Sequence, residues 1–430
     1  MIRFSARAGA ARASASVFLL SAVLLGGAPA ALRAQAPGGP VIDVEKAPDK
    51  RIAIGIGKYP GLPADEIGSP AHEVAAFDFE LSGWFTPVLP GVIPPKTMSD
   101  WGRLGAELVV ELSLSGGTLD AAVRDVGTGD VMFRQRYPAG NESLRKRLHR
   151  FADEAVQQLT GQTGLARTRI LCEWDAGKGK RIVTMDVDGH GMKELTKQGV
   201  LELGPRWSPN GRKAVYTSYG SGYPDVYVHD LVVGSREKVA NFEGLNAQGD
   251  LHPDGKQLLL VASFQGNPEI YSRDLASGKL HRLTSNPATD TSPVWSPDGS
   301  RIAFVSDRSG SPQIYVMAAS GSKPERVTVR GSYNTGPDWS PDGTRIAYST
   351  LRADGFQIQV IELGSGQVTT VTDLSGCEDP SWSPDGKSLV YSRKAGGKTE
   401  LYVTNLSERR ALRISRGSGR FTAPDWSPTR

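Results

Sequence analysis

Short runs of aliphatic, aromatic and β-branched residues recur evenly through the second half of the chain, each bounded by polar or glycine-containing turns. Ala214-Val-Tyr-Thr, Ile302-Ala-Phe-Val, Ile346-Ala-Tyr-Ser and Leu389-Val-Tyr-Ser form one set, and Val226-Tyr-Val, Ile270-Tyr, Ile314-Tyr-Val and Leu401-Tyr-Val form a second. Runs of this length and composition predict strands. A turn signal precedes the first set: Trp207-Ser-Pro-Asn-Gly211, Leu251-His-Pro-Asp-Gly255, Trp295-Ser-Pro-Asp-Gly299, Trp339-Ser-Pro-Asp-Gly343, Trp382-Ser-Pro-Asp-Gly386 and Trp426-Ser-Pro428, spaced 44, 44, 44, 43 and 44 residues apart. Proline presets φ at the first corner, Asp or Asn tolerates the second, and glycine supplies the positive φ at the exit. Each segment is therefore a tight turn between strands.

A fourth strand follows in Arg282-Leu-Thr and Arg326-Val-Thr, so each repeat holds four short antiparallel strands, the signature of propeller blades. Six anchors bound only five complete units, and the missing strands lie before the first anchor, in Arg169-Ile-Leu-Cys-Glu, Arg181-Ile-Val-Thr-Met and Lys193-Glu-Leu-Thr. The pattern predicts an all-β six-bladed propeller over 168–430, with its last blade split between 168–206 and 420–430. Closure of this kind removes free sheet edges.

The preceding region reads as a small α/β domain over 51–166, which makes the chain multidomain. Arg51-Ile-Ala-Ile-Gly-Ile predicts a strand. A helix follows with Ser69 as cap, Pro70 at its first position, and Val74, Phe77 and Leu81 on one face. Glu107–Leu114, Thr118–Val126 and Val131–Tyr137 predict a meander. From Asn141, the residues Leu144, Leu148, Phe151, Ala155 and Leu159 keep helical spacing, and Arg145, Lys146, Arg147 and Arg150 are expected on a solvated face.

Residues 1–36 carry early arginines, the apolar run Val17–Leu25 and then small residues, the order of a secretory signal peptide with cleavage after Ala30 or Ala36. A run of nine residues falls well short of the ~20 that a membrane-crossing helix needs. Export and a soluble monomer are expected. Residues 37–50 form an extended segment in which Val41, Ile42, Asp43 and Val44 can dock on the protein itself or add as a strand to a partner sheet; a linker is the competing reading.

Charge then narrows the function. The formal net charge is +4, but Arg3, Arg7, Arg12 and Arg33 all precede the first acidic residue, Asp43, so the exported form is neutral. That argues against nucleic acid as a partner. The two cysteines, Cys172 and Cys377, exclude a disulfide-stapled scaffold, and Cys172 falls at an inward position. No Gly-x-Ser-x-Gly elbow occurs, and the six histidines form no His-Glu-x-x-His pair. Gly55-Ile-Gly57 is followed by Pro60 where a dinucleotide loop needs glycine, and Asp298, Asp342 and Asp385 are explained by their turns. Neither an enzyme, a cofactor nor a metal is expected.

A propeller offers instead a rigid ring of loops around a channel mouth. The segments before the anchors, Leu245-Asn246-Ala247, Thr289-Asp290-Thr291, Tyr333-Asn334-Thr335, Cys377-Glu378-Asp379 and Arg420-Phe421-Thr422, mix aromatic, amide and carboxylate groups and are expected to converge there as partner-binding loops. The candidates are Asn246, Asp290, Thr291, Tyr333, Asn334, Thr335, Glu378, Asp379, Arg420 and Phe421. A hydrolase or lyase with its site in the channel, and a generic exported repeat adaptor, are the alternatives.

The order of an α/β domain, six WSPDG-type repeats, a split last blade and an ending at Trp426-Ser-Pro resembles the TolB family of the Tol-Pal system. The chain departs from the repeat at Leu251-His252 and Asn210. The resemblance implies a periplasmic, non-enzymatic scaffold. Its propeller would bind the peptidoglycan-associated lipoprotein Pal, its N-terminal segment Val41–Val44 would contact TolA, and colicins could exploit its channel. It also implies a role in outer-membrane integrity and constriction during division. Intact-mass measurement of the exported protein should give a start at residue 31 or 37; retention of Arg3–Leu25 would refute the signal assignment.

Overall fold

The computed structural model describes residues 51–65 and 68–429. The signal segment, Val41–Val44 and the rest of 37–50 lie outside the described residues. Among these residues, no helix is long and apolar enough to cross a membrane.

The N-terminal region runs β1 (Ile52–Ile56), α1 (Ala71–Leu81), β2 (Phe85–Val88), α2 (Met98–Arg103), β3 (Leu108–Ser115), β4 (Thr118–Asp125), β5 (Val131–Tyr137) and α3 (Leu144–Thr160). Its sheet has the order β2-β1-β3-β4-β5, with β1 parallel to both neighbours and β3–β5 an antiparallel meander. Strand alternation divides the faces. Leu108, Val110 and Leu112 pack with α1 and α3, whereas Val109 packs with Trp101 of α2. A Cβ on Gly55 would come within 2.5 Å of the Trp101 ring, so this glycine serves close packing.

The helix ends differ slightly from expectation. Pro70, in an extended conformation, is itself the cap of α1, and the Ser69 N–H donates to the Asp65 carboxylate at 2.7 Å. The third helix starts at Leu144, a little after Asn141, with Ser143 as its cap, accepting the Lys146 N–H.

The expected solvated face of α3 is corrected more deeply. Lys146 is exposed, but Arg145 and Arg147 are buried. Arg147 is buried within its own domain, donating to the Gly117 and Tyr137 carbonyls, and Arg145 is buried because α3 meets the propeller as well as its own sheet. Arg145 pairs with Asp65 at 2.6 Å and with Asp188 of the last blade, while His149 Nδ1 lies 2.8 Å from Asp78 on α1. Burial opposes a charge on His149, but the adjacent Asp78 carboxylate outweighs it and raises its pKa. Leu81 and Leu165 complete this junction by joining the apolar cluster of Val390, Leu401 and Val403.

The propeller consists of six four-stranded sheets. Their innermost strands are Glu202–Trp207, Asn246–Leu251, Asp290–Trp295, Asn334–Trp339, Cys377–Trp382 and Arg420–Trp426, which number the blades one to six. In the sixth, Arg420–Trp426 pairs with Arg169–Asp175, followed by Lys180–Asp186 and Lys193–Glu194. The N-terminal contribution to this blade stops at Glu194, short of residue 206, because Glu202–Trp207 pairs with Lys213–Ser218 in blade one. The anchor turns are self-contained. In blade four, the Ser340 hydroxyl donates to Asp342 at 2.5 Å and accepts the Arg345 N–H at 2.9 Å.

Arg145→Ala would leave Asp65 and Asp188 buried beside a lost cation. It should cost ~3 kcal/mol or more in denaturant unfolding, against about 0.5 kcal/mol or less for the exposed Lys146→Ala control. Equal stabilities would remove the ionic junction as a structural element.

Candidate functional site

Each innermost strand runs from the channel mouth toward its anchor turn, and each contains a register shift in its pairing with the next strand. In blade two, Ala247 faces Val261 and Asp250 faces Leu259, so one extra residue is inserted. The position three before each anchor takes a left-handed φ: Gly204 58°, Gln248 56°, Ser292 51°, Gly336 60°, Asp379 55° and Ala423 46°. Four of these six are not glycine, a conformation that costs roughly 1–2 kcal/mol per residue. Proline follows at 205, 293, 337, 380 and 424, and glycine at 249.

The bulges form the rim of a vestibule of about 130 Å³. Their backbone N–H groups are held by side chains of the preceding blade. Gly204 donates to Glu173, Gln248 to Thr217, Ser292 to the Gln248 amide oxygen at 2.7 Å, and Asp379 to the Ser349 hydroxyl. The rim is thus rigid before any partner arrives.

Below the rim the channel is stoppered. Arg206 donates to Asp338 at 2.7 Å and to Asp425 at 3.1 Å, reaching across the axis from blade one to blade four. Each nearby carboxylate is also committed to the neighbouring blade: Asp250 accepts the Trp295 N–H, Asp338 that of Trp382, and Asp425 that of Trp207, at 2.6–2.8 Å. Burial pushes Asp250 up to about 7 and Asp425 up to about 6, with Arg206 pulling each back. Burial also opposes the charge on Arg206, but the carboxylates of Asp338 and Asp425 hold its pKa above the ordinary value. The convergent charges are therefore engaged in closing the ring. Beyond them a wider vestibule of about 400 Å³ opens among the anchor turns, the end at which the α/β domain docks.

The predicted partner residues separate into layers. Asn246, Asp290 and Asn334 are 0% exposed and Phe421 is buried, because these residues begin the innermost strands and are not loops as expected. The bulge reverses strand parity, turning this position inward. Asn246 ties Phe242 and Pro224, Asp290 holds Arg308 at 2.8 Å, and Asn334 donates to Gln313 at 2.7 Å. Thr291, Thr335, Glu378 and Asp379 are half-buried at the mouth, and Tyr333 and Arg420 are exposed beside it. Sequence reasoning missed Gln248, Ser292 and Arg206. The proline two residues before each of the five Trp anchors was the available signal, since proline in a strand marks an edge or a bulge.

These features define a two-domain, six-bladed propeller with a rigid, strained mouth at one end and an α/β domain at the other. Residues 156–430 match the TolB beta propeller domain family, and the chain belongs to it. It is 33% identical over 224 residues to the Tol-Pal system protein TolB of Paramagnetospirillum magneticum, covering 47% of this chain and 50% of that protein; the chain thus spans about half the length of this curated relative. The crystal structure of TolB from Acinetobacter baumannii superposes with a TM-score of 0.78 at 28% identity, over 90% of this chain and 98% of that one. A nidogen/laminin complex, at 11% identity and TM-score 0.51 over 60% of this chain and 98% of that one, shares the fold alone.

Asp250 keeps its proton to about pH 7 in the folded chain but loses it near 3.8 when unfolded. Stability from this group therefore falls as pH rises between those values. Asp250→Asn still accepts the Trp295 N–H, so its melting temperature relative to the unaltered chain should climb from about pH 5 to pH 8. A difference independent of pH would show that Asp250 ionises normally.

Proposed function

We propose that the chain is a non-enzymatic periplasmic scaffold of the Tol-Pal envelope complex. Its propeller mouth docks a Pal-type lipoprotein, and Val41–Val44 contacts a TolA-type inner-membrane protein. The observation that carries this reading is the ring of left-handed bulges. Four non-glycine residues are held in a costly backbone conformation that lines an open mouth, and strain of this kind gathers where a surface must be preorganised for a partner. The likeness to TolB of Acinetobacter baumannii across both domains supports the same reading. The hydrogen bonds that commit Asp250, Asp338 and Asp425 to the neighbouring blades favour docking over chemistry in the channel. The scaffold would help hold the outer membrane to the wall and draw it inward at division.

Affinity capture from mildly solubilised envelopes, with the full chain as bait, should recover a Pal-type lipoprotein and a TolA-type protein. Removing residues 37–44 should abolish the second capture and leave the folded propeller intact. Failure to recover the lipoprotein refutes the docking role of the mouth. An undiminished TolA-type capture reduces 37–44 to a linker.

A further inference from the structure

The mouth is six-fold in backbone but lopsided in chemistry. The central hairpins of blades four and five, Arg345–Arg352 with Gly355–Glu362 and Ser388–Ala395 with Lys398–Asn405, run eight residues per strand. Their counterparts in blades one to three run six. The pairing in blades four and five runs on to a two-residue tip, at 353–354 and 396–397, whereas a six-residue loop occupies the same stretch of chain in blades one to three, so regular hairpin tips edge one side of the mouth.

On blade four the surface around this tip is apolar. Tyr333, Leu351 and Leu374 are 39%, 38% and 52% exposed. They belong to one surface: the Tyr333 ring meets Phe356 edge-on at 5.8 Å, and the Leu351 N–H donates to the Tyr333 carbonyl at 2.9 Å. The Gly355 tip of the same hairpin lies against Ser375, next to Leu374, where an added Cβ would meet it at 3.4 Å.

Beside Gly376 this patch passes into a groove of about 310 Å³ between blades five and six. Two pairs are internal, Arg420 with Asp175 and Lys180 with Glu173, both at 2.6 Å. Glu378, Asp379 and Lys394 stand outside them: among the described residues no cation lies within ion-pair distance of either carboxylate, and Lys394 and Lys180 act on Glu378 and Asp379 from further off. Burial raises the pKa of both carboxyls, and the neighbouring carboxylates Glu173 and Glu378 help bring Asp379 up to about 6, while Lys394 pulls Glu378 back and the Ala423 N–H and Lys180 pull Asp379 back.

We propose that this sector, over blades four to six, is where the partner sits. The segment that docks there is a protein strand or loop presenting an apolar side chain to Tyr333, Leu351 and Leu374 and a lysine or arginine to Glu378 and Asp379. The assignment rests on the mouth being a protein-docking face and adds which part of it is used and what chemistry fits. An anionic group would face two carboxylates that have no cation in ion-pair contact. A wholly apolar one would bury them without a close counter-ion, and a free metal ion would leave the apolar patch uncovered. A side-chain cation beside an aliphatic or aromatic group satisfies both halves.

Titration of the full chain with the purified soluble domain of the Pal-type lipoprotein from the same cells tests this. Binding of the unaltered chain should tighten as pH rises from about 5 to 7, because the partner cation binds the ionised carboxylates. Glu378→Gln with Asp379→Asn should weaken binding by about tenfold or more and flatten that slope. Asn is at ease in the left-handed conformation at 379, so folding is kept. Tyr333→Ala with Leu374→Ser should weaken binding to a similar degree, whereas Tyr223→Ser, exposed on blade one, should leave it unchanged. Retained affinity and slope in the carboxylate variant, or a loss confined to Tyr223→Ser, overturns the off-centre footprint alone. Absence of binding by the unaltered chain overturns the docking reading itself, and this inference with it.

Discussion

The ring stands on one contact repeated about its axis: the side chain just before an anchor on one blade accepts the backbone N–H of the anchor on the next. Asp250, Asp338, Ser381 and Asp425 make it to Trp295, Trp382, Trp426 and Trp207. At the junction of blades three and four, where Val294 has nothing to offer, the Trp339 indole N–H donates to the Val294 carbonyl instead. Three of the acceptors are carboxylates gathered about a narrow channel, and like charges so placed repel. Arg206 resolves that conflict from within the chain by bonding two of them across the axis. Seam and stopper are therefore one network, and the mouth above it inherits its rigidity.

The same arrangement decides what the mouth can do. With the floor occupied by bonded charges, binding groups are supplied by the rim: bulge backbone, the short side chains of Gln248 and Ser292, and the sector of blades four to six. A shallow, preformed surface with a stoppered floor suits association with another macromolecule better than enclosure of a small substrate. The α/β domain grips the other end through Arg145, His149 and Leu81, and leaves the rim uncovered.

The architecture was legible because anchor turns carry their own chemistry. Pro, Asp and Gly at fixed offsets declare a turn whatever surrounds them, and the apolar runs between Trp207 and Trp426 then have a single arrangement that closes. Site residues were harder to read. One inserted residue per inner strand reverses which side chains face inward, so Asn246, Asp290 and Asn334 became fasteners, while Asp379 and Gln248 reached the rim. Apolar alternation carries no mark of such an insertion; only the prolines at 205, 293, 337, 380 and 424 do. Arg145 was misplaced for a different reason. Helical spacing shows which face is apolar, but a charge buried by a second domain is indistinguishable in sequence from one in water.

The split blade couples folding to the order of synthesis. Arg169–Asp175 must wait for Arg420–Trp426, and the pair Asp175 and Arg420 is separated by 245 residues of intervening chain length. Contacts of such long range form late, because the entropy of the intervening loop is lost before they return anything. Until then the sixth blade offers a bare strand edge to any neighbour, a hazard for a crowded compartment. Folding is thereby made to inspect its own product: a chain interrupted before Arg420 cannot finish the ring, and it advertises the defect to proteases at the edge left open.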